Sequence, residues 1–286
     1  MKLLDKIINL DRRIIFVFIA LSVIIPLLFK LTFPEFPTKM TKDMFELIDK
    51  LPPNSKVLIA MDYDPPSEPE IGPMAISVMR HAMMNNLKIY FITLWPTGQQ
   101  MIANLIENLL KTEFPDKKYG TDFVNLGYKA GRQGVIPVIA TNLEKLYPTD
   151  VNNVSIRNIP MTQGVKNLSD FDIVVGMSAG WPGIKEWIQF GTDPLDIPFV
   201  AGTTAIQTTL YLPYYPKQLN GLLGGIKGAA EYESLIAKKF ERFADPKLHI
   251  GILRWGPQTI AHIVIVIFIL IGNITYFIDR KRKTLV

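Results

Sequence analysis

Two carboxylates close a short apolar run: Val57-Leu58-Ile59-Ala60-Met61 leads into Asp62, and Asp64 follows two positions later. Side chains two apart share a face while the chain stays extended, so the pair has the types to hold a hard divalent cation or supply a general base. Pro65 and Pro66 follow at once, and Ser67 with Glu70 has the spacing of a capping box. One carboxylate reads as capping the Ser67 turn and the other as solvated or paired with Arg80 or a lysine, in preference to a metal site, and at least one of the two keeps a ligand hydrogen-bonding role. A second candidate is Ser178, in Gly176-Met177-Ser178-Ala179-Gly180, which fits the nucleophile elbow. A triad would also need an acid and then a histidine, and His249, close to an apolar segment, is the histidine available downstream. A third is Gly127-Tyr-Lys-Ala-Gly-Arg-Gln-Gly134, where three glycines with Lys129 and Arg132 precede a helix and could cradle an anion. It is neither a Walker A loop nor Gly-x-Gly-x-x-Gly, and an ordinary flexible turn is the favoured reading over an anion pocket.

These residues need elements to position them. Lys56–Met61, Leu87–Trp95, Phe123–Leu126, Asp172–Met177 and Pro198–Ala201 read as five buried strands. Helical spacing lies between them: Ile71, Ala75, Val78, Met79 and Ala82 form one stripe, and Met101, Ile102, Leu105 and Leu109 another. Strands alternating with helices predict an α/β fold, a Rossmann-like parallel sheet with helices on both faces. Parallel strands share one carboxyl edge, where such folds bind ligands. That edge would gather Asp62, Asp64, Trp95, Thr97, Lys129, Arg132, Ser178, Thr203 and Thr204. Residues 148–170 read as an excursion or lid, and a last helix as running from about Lys217 to Phe240. Along that stretch Gly221, Gly225 and Gly228 suggest a flat face for the domain's own sheet or for a second copy of the chain.

The chain has 286 residues, 48% hydrophobic, with a mean hydropathy of +0.19. The excess sits in Ile14–Phe29 and Ile260–Phe277, each near the roughly 20 residues that span a bilayer. Trp255, Tyr276 and Phe277 flank the second, and Arg280-Lys281-Arg282-Lys283 follows it. By the positive-inside rule, Lys2, Lys6, Arg12 and Arg13 at one end and this basic run at the other place both termini in the cytoplasm. The division is then a tail at 1–13, a transmembrane helix at 14–31, and a linker with a short helix at 32–55. An extracytoplasmic α/β domain at 56–245 follows, with a juxtamembrane linker at 246–257, a second transmembrane helix at 258–278 and a basic tail at 279–286. The absence of cysteine excludes disulfides, thiolate catalysis and cysteine zinc sites. The net charge of +5 and pI of 9.2 come largely from the membrane flanks, which points to the bilayer and away from nucleic acid.

The strings MDYDPPSEPE, TLWPTGQQ and GLLGGIKGAAEYE resemble those of a family of uncharacterised prokaryotic membrane-anchored α/β proteins. The resemblance spans most of the soluble domain and implies the architecture; the family has no assigned activity, so it implies no mechanism and no cofactor. The expected function is a two-pass cell-membrane protein presenting a non-catalytic ligand-sensing or scaffolding domain. The alternative is a membrane-bound hydrolase using Ser178 or the Asp62/Asp64 pair.

Overall fold

The computed structural model describes residues 11–284; Lys2 and Lys6 of the orientation argument lie outside the described residues. The chain divides into two compact units, one of residues 1–34 with 252–286 and the other of 35–251.

The first unit is helical. Helix α1 (Arg12–Leu28) starts at Asp11, whose carboxylate accepts the Arg13 N–H at 2.9 Å. Its outward residues Phe16, Val17, Phe18, Leu27 and Leu28 are exposed, and only Ser22 and Pro26 of the helix are buried. A long C-terminal helix (Ile250–Thr284) exposes Ile263, Val266, Ile269, Leu270 and Ile274 in the same way. The Phe18 and Phe268 rings meet at 5.9 Å. Among the described residues, one helix, over Ile250–Lys281, is long and apolar enough to cross a membrane; α1 has 17 residues.

The second unit is a six-stranded, all-parallel sheet in the order β3-β2-β1-β4-β5-β6. Its strands are β1 (Lys56–Asp62), β2 (Lys88–Thr93), β3 (Phe123–Tyr128), β4 (Ile173–Ser178), β5 (Phe199–Thr203) and β6 (Gly221–Gly224). This is the doubly wound order, and the direction of winding reverses between β1 and β4. There Asp62 stands in register with Ser178. The sheet is buried on both faces, which is why its strands read as continuous apolar runs. Leu58, Ala60, Val174 and Phe199 face a core with α5 (Val135–Thr141), α6 (Leu143–Leu146) and α7 (Ile184–Trp187). The alternate residues Val57, Ile59 and Met61 are equally buried on the other face. That face carries α3 (Glu68–Met84), α4 (Gly98–Leu105, extended by a π turn to Leu110) and α9 (Gly225–Lys239).

Two expectations are corrected here. Residues 217–240 are not one helix: Gly221–Gly224 pairs with β5 as a sixth strand, and Gly225 turns into α9 at φ +58°. Gly221 therefore lies on no helix face. A Cβ there would fall 2.5 Å from Met44 Cβ and 2.6 Å from the Met44 backbone nitrogen, on α2 (Lys39–Asp49). Gly228 likewise meets the Leu223 backbone, so these glycines serve close approach within the unit. Residues 148–170 form no lid. They fold into three 3₁₀ turns and bury Ile156, Ile159, Val165 and Leu168 in the core, with Tyr90 donating its hydroxyl to Met161 O.

Candidate ligand site at the carboxyl ends of the strands

Asp62 ends β1 with the parity of Leu58 and Ala60, so its side chain turns into the core instead of toward solvent. It is fully buried. One carboxylate oxygen accepts the Leu94 N–H at 2.7 Å and the Thr93 hydroxyl at 3.4 Å, and the other accepts the Trp187 indole N–H at 2.9 Å. Burial pushes its carboxyl up to about 7, against the lowering by these three donors; the Glu186 charge adds to the rise. Asp62 thus ties β1 to the turn after β2 and to α7.

Asp64 points elsewhere. Its Oδ1 accepts the Ser67 hydroxyl at 2.6 Å and the Ser67 N–H at 3.2 Å, capping a 3₁₀ turn over Pro65–Ser67. The Ser67–Glu70 capping box is not formed, because the proline pair imposes this turn first and Ser67 is spent on Asp64. Glu70 instead accepts the Ala205 N–H at 2.8 Å, at the start of α8 (Ala205–Tyr211). The first turn of the doubly wound sheet therefore presents carboxylates and two prolines without N–H, where a dinucleotide site presents glycine amides.

Ser178 is buried and closed over. Its hydroxyl donates to Gly180 O at 3.3 Å, and a Cβ on Gly183 would lie 2.1 Å from Ser178 Oγ. His249 bonds Phe243 O through Nε2, and its Nδ1 has no hydrogen-bond partner, so no Ser–His couple exists. Thr203 donates to Ser178 O at 2.9 Å and is buried as well. Thr97 is exposed, with its hydroxyl on Tyr63 O at 3.4 Å. Thr204 precedes α8, and its carbonyl accepts the Thr208 hydroxyl at 3.0 Å.

What opens to solvent along this edge is a cleft of about 280 Å³ over the ends of β2, β3 and β4. Trp95, Tyr128, Trp181 and Arg132 wall it, with Leu94, Pro96 and Pro182. The Trp95 indole N–H donates to Pro182 O at 2.8 Å, which fixes its ring. The chain reverses at Gly131 (φ +133°) and Arg132 (φ +54°), and the guanidinium lies 5.0 Å from the Trp181 ring centre. Lys129 sits 5.2 Å from the Tyr147 ring centre, and neither cation has an ion-pair partner among the described residues. A larger groove of about 340 Å³ lies between α3 and α4. Its buried Arg80 is committed to Glu113, at 2.6 and 2.9 Å, and to Leu248 O.

Of the residues expected at the strand edge, Trp95 and Arg132 thus meet in one cleft. Asp62, Ser178 and Thr203 lie beneath the surface, and Asp64 and Thr204 serve local turns. Tyr128, Trp181 and Pro182 lie in the 127–134 and 178–183 loops expected to wall the edge, but none is singled out by the sequence as a site residue. The Gly-Trp-Pro-Gly string after β4 was the available signal, since a tryptophan in a strand-end loop has little core to enter. No family model, curated protein or solved structure matches this chain.

Proposed function

We propose that the chain is a two-pass cell-membrane protein whose α/β domain is a non-catalytic ligand sensor outside the cytoplasm, with both termini inside. It would belong with the membrane-anchored α/β proteins that its sequence strings resemble. The apolar helix over Ile250–Lys281 supports the anchor, and the lipid-like outer surface of α1 supports a second crossing. The basic residues Arg12, Arg13, Arg280 and Lys281 support the orientation.

One observation carries the sensing role. At the strand edge, Asp62, Asp64 and Ser178 are each bound into the protein's own structure, while an aromatic cleft with an unpaired cation stays open. A pre-formed concave site with few polar groups suits recognition. The test is a panel of esters and phosphoesters with the purified full chain, alongside its Ser178→Ala and Asp64→Asn variants. No turnover that depends on either residue is expected; turnover abolished by either substitution would establish the hydrolase instead. Protease access from each side of sealed vesicles checks the orientation, with cleavage of the central domain expected only from the outer side.

A further inference from the structure

We infer that the strand-edge cleft takes a small anion built on a flat aromatic ring, an arenecarboxylate in the simplest case. The ligand class rests on the sensing function proposed for this edge. Three features of the cleft lead to it.

The first is the pair of indoles. Trp95 is held by its hydrogen bond to Pro182 O, and its ring edge packs over Gly180, where a Cβ would lie 3.1 Å from Cη2. A wall fixed before binding loses little freedom on binding. Trp181 is 51% exposed, an uncovered aromatic surface that a stacked ring would remove from water. The second is charge. None of the seven lining residues is acidic, and Arg132 is exposed and without a carboxylate partner. Three aromatic rings would otherwise suit an alkylammonium ion. Here the guanidinium, 5.0 Å from the Trp181 ring centre, leaves part of that ring open and repels a second cation. The third is size. About 280 Å³ is at the small end for ligand pockets and suits one ring system. The neighbouring β1 turn, with Asp64, Pro65 and Pro66, gives a dinucleotide's phosphates no amides.

The probe is 2-naphthoate, titrated into the full chain in nanodiscs and followed by tryptophan quenching and calorimetry. Saturable binding is expected, abolished in Trp181→Ala. Replacing the charge, with 2-naphthamide on the ligand side or Arg132→Gln on the protein side, should weaken it roughly tenfold or more, the size of a charge-assisted hydrogen bond. Cyclohexanecarboxylate, which keeps the charge and loses the flat ring, should bind more weakly than naphthoate. Equal binding of naphthamide and naphthoate, both lost in Trp181→Ala, would overturn the anionic class and leave the strand edge as the site. Absence of saturable binding, or binding indifferent to Trp181→Ala, would overturn the site itself. Both substitutions are at exposed side chains, so a folded variant is expected in each case.

Discussion

Buried Asp62 makes stability depend on pH with a definite sign. Its carboxyl titrates at about 7 in the folded protein and near 3.8 when the chain is unfolded. Between those values the folded state holds a proton that the unfolded state has released. Stability therefore falls as pH rises through this window and is level above it. At roughly 1.36 kcal/mol per pH unit, the contribution lost is at most about 4 kcal/mol. His81 acts the other way. Burial lowers its imidazole from 6.5 to about 3, so the unfolded chain takes up its proton first and stability falls as pH drops through that range. Glu35 has the sign of Asp62: burial, with the nearby Glu231 charge, raises it to about 7. Because these windows overlap, the wild-type profile conceals each group, and the informative quantity is a difference. Asp62→Asn removes the ionisation and keeps one acceptor for Leu94 or Trp187. Denaturant unfolding of the full chain between about pH 4 and pH 8 should give curves that converge or cross as pH rises, with the variant relatively more stable at neutral pH. Trp187 supplies a second readout, since its indole N–H lies on the Asp62 carboxylate at 2.9 Å. Its emission should titrate near pH 7 in wild type and not in the variant. Parallel stability curves, or a fluorescence transition that survives Asp62→Asn, would refute the argument.

Two further substitutions test the packing. Gly221→Ala places a Cβ against the Met44 backbone and should destabilise the protein by about 1–3 kcal/mol, read by chemical denaturation. Its oligomeric state by light scattering should not change; dissociation of an oligomer at unchanged stability would mean that Gly221 faces a second copy. Glu70→Ala removes the carboxylate that caps α8 from outside the helix and should cost about 0.5–2 kcal/mol. Hydrogen exchange should report faster opening over residues 205–211 and little change in β1; uniform exchange would assign Glu70 no capping role.

Local pattern was enough for the elements whose signal lies within a few neighbouring residues. Val57–Met61 and Ile173–Met177 are unbroken apolar runs because both sheet faces are covered, and the stripe from Ile71 to Ala82 is helical because only one side meets the sheet. The apolar length of the C-terminal segment is legible for the same reason. Strand β6 was hidden: four residues with glycine at each end carry no period, and pairing with β5 alone makes them a strand. The candidate site was decided by contacts far apart in the chain. Asp62 became a buried strut because Trp187, 125 positions away, supplies a donor. Ser178 was closed because Gly183 folds back onto its hydroxyl. The aromatic cleft exists because β2 and β4 flank β1, which brings Trp95 to the Pro182 carbonyl 87 positions on. Residue types and spacing determined which strand ends bear chemistry-capable groups. Strand order and the packing of loops and helices over the strand ends decided which of those groups face solvent, because both depend on contacts between segments far apart in the chain and not on any local run of sequence.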